Sequence, residues 1–290
     1  MDALAVKLGL VMRVARSRKE LNTSDGHWGL IPTMGALHAG HLSLVAAARA
    51  QCDHLAVSIF VNPLQFNDPQ DYQNYPKDWE HDLEVLQDAG VDLLYVPSQN
   101  EFYPADFVSR VELSGPLVEQ WEGAQRPGHF TGVATVLTKL FHALKPELAF
   151  FGQKDFQQLR VVEQMVHDLE FAVKIVGVAT VREPDGLAIS SRNVFLDPAA
   201  RQDAALISRS LSTIVHAASQ GLSVPTGLAM GLEVLAQGST LRPEYLAVVD
   251  PVSLQPVEEW VAGARVITAV RVDTDLARSV RLIDNMEIQQ

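Results

Sequence analysis

The chain has 290 residues, 47% of them hydrophobic and 20% charged, with a formal net charge of −12. That is ample apolar material for one large or two modest domains, so disorder as the main state is excluded. The balance of 23 basic against 35 acidic residues excludes a general nucleic-acid coat, which needs a basic surface, and leaves room only for a few cations gathered in a cleft.

In chain order, the N-terminus reads as an amphipathic first helix. The cations Arg13, Arg16, Arg18 and Lys19 follow the opening apolar stretch, the wrong order for a secretory signal, and no run approaches the roughly 18 apolar residues of a membrane span. Cytoplasm is the expected address. The only cysteine is Cys52, so no intrachain disulfide and no Cys-based zinc site is expected; it reads as a core residue. Residues 29–32 form a short strand, 41–50 a helix and 55–61 a strand rich in β-branched residues. An amphipathic helix over 79–89 stops at Gly90, and a strand covers 91–96. Then come a helix at 132–144, a strand at 148–151, a helix at 156–168 and a strand at 174–181. Strands alternating with helices predict an α/β fold built on a doubly wound parallel sheet. Past the turn at 182–186 the pattern changes. Asp197-Pro198 opens a helix running to about Gln220, with Asp as N-cap and Pro at N1. A second helix lies near 226–237, with strands at 245–249, 266–272 and 280–283. The expected domains are therefore 1–184 and a smaller α+β domain, 185–290.

Pro32-Thr33-Met34-Gly35-Ala36-Leu37-His38-Ala39-Gly40-His41 joins the first of these strands to a helix. Ligands bind at such strand ends in open α/β sheets, and helix N-termini attract anions. A P-loop is excluded because His41 and Leu42 stand where Lys and Ser/Thr are needed, and there is no dinucleotide G-x-G-x-x-G. A metal held by His38 and His41 lacks a third ligand nearby. Beside that metal reading stand two others: ordinary polar loop residues, or imidazoles that donate hydrogen bonds to nucleotide phosphates and stabilise charge growing there. The H-x-G-H pattern resembles the signature of nucleotidyltransferases and class I aminoacyl-tRNA synthetases.

Three further stretches carry chemistry. Ile189-Ser190-Ser191-Arg192-Asn193, at the domain boundary, offers two hydroxyls and a guanidinium as a pyrophosphate clamp, on a loop placed to move. Phe151-Gly152-Gln153-Lys154-Asp155-Phe156-Gln157-Gln158 runs from strand to helix and supplies the cation of Lys154. Asn62-Pro63-Leu64-Gln65 follows a strand end. Gln65 and Gln158 suit neutral, directional binding of hydroxyls and a carboxylate whose nucleophilicity must survive. Glu122–Phe130, rich in glycine and charge, reads as a lid or a subunit contact.

The ordered set P-T-M-G-A-L-H-A-G-H, S-I-F-V-N-P-L-Q-F, Y-P-K-D, R-P-G-H-F-T-G-V, F-G-Q-K-D-F-Q-Q-L, S-S-R-N and R-L-I-D-N (Arg281–Asn285) resembles the pantoate–β-alanine ligase family over nearly the whole chain. The resemblance implies a Rossmann-like domain over 1–184 that binds ATP and pantoate, a C-terminal lid over 185–290 and a homodimer. It implies ATP as substrate with Mg2+ carried on it, and no membrane or nucleic-acid partner. Pantoate carboxylate would attack the α-phosphorus of ATP and release pyrophosphate; β-alanine would then attack the pantoyl-adenylate and release AMP. By matched position, Met34, Gly35, Ala36, Leu37, His38, Ala39, Gly40 and His41 contact ATP. So do Gly152, Gln153, Lys154, Asp155, Val181, Ile189, Ser190, Ser191 and Arg192. His41, His38 and Lys154 are the catalytic set, and Gln65, Gln158 and Asn62 the pantoate and β-alanine contacts. Lys77 and Arg126 are further cations near the site. Gln153 stands where Glu often precedes the Lys-Asp pair. His81 precedes Asp82 in a segment whose acidic residues help hold magnesium in some members, which leaves a direct metal contact open. Two other readings compete: a nucleotidyltransferase with a phosphorylated acceptor, and a silent nucleotide-binding protein.

Overall fold

The structure, a computed structural model, describes residues 12–23, 26–275 and 279–288. The helix expected at the start of the chain lies outside the described residues. The chain divides into two units: Met1–Gln153 with Gln158–Ala179, and Lys154–Gln157 with Thr180–Gln290.

The first unit holds strands β1 (Arg13–Ala15), β2 (Trp28–Thr33), β3 (His54–Ile59), β4 (Leu93–Tyr95), β5 (Leu148–Gly152) and β6 (Lys174–Val178). They form a parallel sheet in the order β1-β4-β3-β2-β5-β6. This is the expected doubly wound arrangement. The chain winds from β2 outward through β3 to β4, then returns to β5 beside β2. The strand order therefore reverses between β2 and β5, the place where open α/β sheets take ligands at their carboxyl ends. Strands of such a sheet are covered on both faces and read as continuous apolar runs. Leu30, Ile31, Leu55, Val57, Leu93, Leu94 and Phe150 are all buried accordingly. Helices α1 (Ala39–Arg49), α2 (Trp79–Asp88), α3 (His129–Leu144) and α4 (Phe156–Asp168) lie close to their sequence-predicted bounds. Strand β1 was not foreseen, because three residues are too short to show a period. The strand expected over 174–181 ends at Val178; the Val181 carbonyl instead accepts the Ile189 N–H at 3.0 Å.

The second unit packs α5 (Pro198–Ser219) and α6 (Val224–Leu235) with an antiparallel sheet, β7 (Leu241–Val249), β8 (Arg265–Asp273) and β9 (Ser279–Glu287). Ala200, Ala204, Ile207, Leu235, Leu241, Val270 and Leu282 form one of its cores. Asp197 caps α5 by accepting the Ala199 and Ala200 N–H groups, each at 3.0 Å. The Ala200 and Asp275 amides hold its carboxyl below the usual range. A depressed carboxylate stabilises above its unfolded pKa and loses that contribution as pH falls through the folded value. Asp197→Ala is therefore expected to lower the thermal midpoint by about 2–4 °C at pH 7. The gap to wild type should close as the pH is taken below about 4; melts along that pH series measure it.

Candidate active site

The turn after β2 is held from several sides. Thr33 Oγ1 accepts the Gly35 N–H at 3.2 Å, and the buried Asp82 carboxylate accepts those of Ala36 at 2.9 Å and Leu37 at 2.7 Å. His38 then caps α1: its Nδ1 accepts the Gly40 N–H at 3.1 Å, while His41 Nδ1 accepts the His38 N–H at 3.3 Å. The two rings lie 4.1 Å apart between centroids. A Cβ on Gly40 would come within 2.9 Å of the His38 ring, so the glycine makes room for this cap. The consequence is electronic. A ring nitrogen that accepts a hydrogen bond carries no proton, so each neutral imidazole bears its hydrogen on Nε2 and is a donor there. What the turn offers a phosphate is thus side-chain N–H more than backbone N–H, since the amides of Gly35 through His38, Gly40 and His41 already have acceptors within the chain.

The amide turn past β3 is built around Asn62, which is 1% exposed. Its Nδ2 donates to Gln65 Oε1 and to the Gly132 carbonyl, both at 3.0 Å. Its Oδ1 accepts from Leu64 N–H at 3.2 Å and from the Tyr103 hydroxyl at 3.1 Å. Burial pushes the Tyr103 phenol up, which keeps it a donor. These four bonds use both donors and both acceptors of the amide, so Asn62 positions Gln65. Gln65 Nε2 reaches Met34 Sδ at 3.1 Å, which joins the amide turn to the H-x-G-H turn. A thioether is a weak acceptor, so that N–H is held yet readily given up to a better oxygen. The Glu122–Phe130 stretch, expected as a lid or subunit contact, supports this turn: Arg126 Nη2 reaches the Gln65 carbonyl at 3.2 Å and His129 Nδ1 lies 2.9 Å from it. Gly152 ends β5 at the same sheet edge, Gln153 follows it, and Gln158 is half-buried on the first turn of α4.

In the second unit the Ile189-to-Val181 bond brings two separated site segments side by side. Ser190 Oγ accepts the Arg192 N–H at 3.3 Å and starts the short 3-10 helix Ser191–Phe195. Arg182, next to Val181, ties the Gly186 turn to the last strand. It makes two bonds to Asp284, at 2.6 and 2.9 Å, and others to the Gly186 and Asn285 carbonyls. Burial pushes the Asp284 carboxyl up and the guanidinium pulls it back. Lys154, beside Asp155 at 3.8 Å, has its carbonyl held at 2.9 Å by Asn285 Nδ2. Asn285 is in turn bonded to the buried Arg265 at 2.6 Å, whose guanidinium lies 4.0 Å from the Phe156 ring centroid. The R-L-I-D-N stretch was legible as a pattern; its work on Lys154 and Arg182 was not. Gly132 lay inside the R-P-G-H-F-T-G-V string and Asp82 in the acidic segment after Y-P-K-D, but neither string showed what the residue holds; Tyr103 carried no local signal. Among the described residues, no three His, Cys, Asp or Glu side chains converge as a metal-binding group.

The family model described as pantoate-beta-alanine ligase matches residues 10–287. Pantothenate synthetase of Thermus thermophilus is 52% identical over 260 residues, 90% of this chain and 92% of that protein. A crystal structure of pantothenate synthetase from the same organism superposes with a TM-score of 0.91 at 49% identity, covering 96% of this chain and 100% of the other. A pantoate-beta-alanine ligase from Francisella tularensis, complexed with beta-gamma ATP and beta-alanine, superposes at 0.78 with 32% identity, covering 96% and 98%.

Proposed function

The chain belongs to the pantoate–β-alanine ligase family, carbon–nitrogen ligases of pantothenate synthesis, and on that premise we propose that it condenses (R)-pantoate with β-alanine through a pantoyl-adenylate. A carboxylate oxygen of pantoate attacks the α-phosphorus of ATP. The bond from that phosphorus to the β-phosphate bridging oxygen breaks, and pyrophosphate leaves. The β-alanine nitrogen then attacks the acyl carbon, the bond to the AMP oxygen breaks, and the amine loses a proton to solvent.

The observation that carries this reading is the reciprocal His38–His41 cap, which leaves Nε2 as the donor on both rings. Phosphoryl transfer needs positioned donors and cations more than a covalent nucleophile. His38 and His41 donate to the phosphates as charge grows there. Lys154 and Arg192 supply positive charge, and Ser190 and Ser191 supply hydroxyls. Backbone of Met34–His41, Gly152–Asp155, Val181 and Ile189 lines the nucleotide. Gln65 and Gln158 orient pantoate, with Asn62 acting through Gln65. Magnesium arrives as part of the ATP substrate. The family resemblance extends the proposal to a homodimer working in the cytoplasm; among the described residues no helix is long and apolar enough to cross a membrane.

Pyrophosphate–ATP exchange, with magnesium and pantoate but no β-alanine, tests the first half-reaction. Exchange that requires pantoate is expected. Intact ATP binding without exchange would sink the proposal, leaving another acceptor or a silent nucleotide-binding protein.

A further inference from the structure

Asp82 lies in the first turn of α2 and is 2% exposed. It does not cap its own helix; Asp78 does so, accepting the His81 N–H at 3.2 Å. The Asp82 carboxylate reaches instead across 46 residues of sequence to the turn that precedes the two histidines, one oxygen taking the Ala36 N–H and the other that of Leu37. That turn is an awkward one. Gly35 has φ +84° and Ala36, which has a Cβ, has φ +52°. Glycine takes such a φ freely, but a residue with a Cβ, as at Ala36, stays there only where its surroundings over-determine it. A Cβ on Gly35 would fall 2.9 Å from Asp82 Oδ2, so the carboxylate fills the space that a side chain at 35 would take. Burying a carboxylate is costly unless it is well bonded, and here both oxygens are given to the backbone of one turn. The next residue, His38, opens the cap that orients both rings.

We infer that Asp82 is a positioning residue for adenylate formation: it fixes the Gly35–Ala36 turn and so aims the Nε2 atoms of His38 and His41. The inference rests on the function proposed above. It also assigns this carboxylate to the chain's own backbone instead of to a magnesium ion.

Asp82→Asn is the informative change. It keeps the shape and one acceptor but turns an N–H2 group toward a backbone N–H. The variant is expected to fold, to melt a few degrees lower, and to lose about 10–100-fold in kcat for exchange, with KM for pantoate within about twofold. Amide exchange at Ala36 or Leu37 should speed up by about tenfold or more. In a His38→Ala/His41→Ala background the same change should slow exchange by no more than about a further twofold, because residues acting as one unit do not add. Losses that multiply, a kcat near wild type, or a raised magnesium requirement would each overturn the inference; the last would make Asp82 a metal contact. If the wild type shows no exchange at all, the function proposal falls, and amide protection still decides: unchanged rates at Ala36 and Leu37 in the variant would remove Asp82's hold on the turn. Asp82→Ala serves as a second variant for the same amide measurement.

Discussion

His41→Ala is expected to slow pantoate-dependent exchange by about 10²–10³-fold while changing ATP affinity by less than about threefold. The difference arises because charge on the phosphoryl oxygens grows only on the way to the transition state, so a donor aimed there contributes most at that point. His41 also does a second job, since its Nδ1 accepts the His38 N–H. Alanine removes both functions at once. His41→Asn separates them, because its amide oxygen can replace Nδ1 in the cap but nothing replaces Nε2. The asparagine variant should regain the thermal midpoint and remain slow. Equal losses in ATP affinity and in rate would contradict the role, as would recovery of activity by asparagine. Stopped-flow or isotope-exchange rates, with calorimetric ATP binding, make the comparison.

Gly132→Ala is expected to damage the pantoate side of the site from inside a helix. An added Cβ would stand 2.3 Å from the Leu64 carbonyl oxygen, 2.5 Å from its carbon and 2.7 Å from the Gln65 nitrogen. These are backbone atoms, so no rotamer change relieves the clash. Either α3 or the Asn62–Gln65 turn must move, and the Asn62 bond to the Gly132 carbonyl makes them move together. Overpacking of this kind costs about 1–3 kcal/mol, a fall of roughly 3–10 °C in a chain this long. KM for pantoate should rise by about tenfold or more, since Gln65 is displaced. Gly152→Ala is the contrast: a Cβ there meets nothing within 4 Å, so its melt should match wild type. A Gly132→Ala protein with wild-type stability and pantoate affinity would refute the account.

The elements that were legible in the sequence are those whose cause is local. Asp197 and Pro198 mark the start of α5 because a cap and its N–H partners lie within three residues. The apolar runs at 55–61 and 148–151 read as strands because burial on both faces demands them, and they fall on β3 and β5 within two residues at each end. H-x-G-H was legible as chemistry because its two rings and the helix start share one turn. The order of motifs named the family for the same reason: each is a short, contiguous string.

What tertiary structure alone decided lies at long separation. Asp82 meets Ala36 across 46 residues, Asn62 meets the Gly132 carbonyl across 70, and Asn285 meets the Lys154 carbonyl across 131. No period or cap pattern reaches that far. Such partners are chosen by how sheet and helices pack, where a buried carboxylate or amide must find bonds or forfeit its solvation. Sequence alone therefore determined the fold class and the family, and singled out the candidate site residues. Packing decided how those residues are held: a carboxylate from α2 grips the histidine turn, a bare helix position leaves room for the glutamine turn, and an asparagine on β9 holds the lysine.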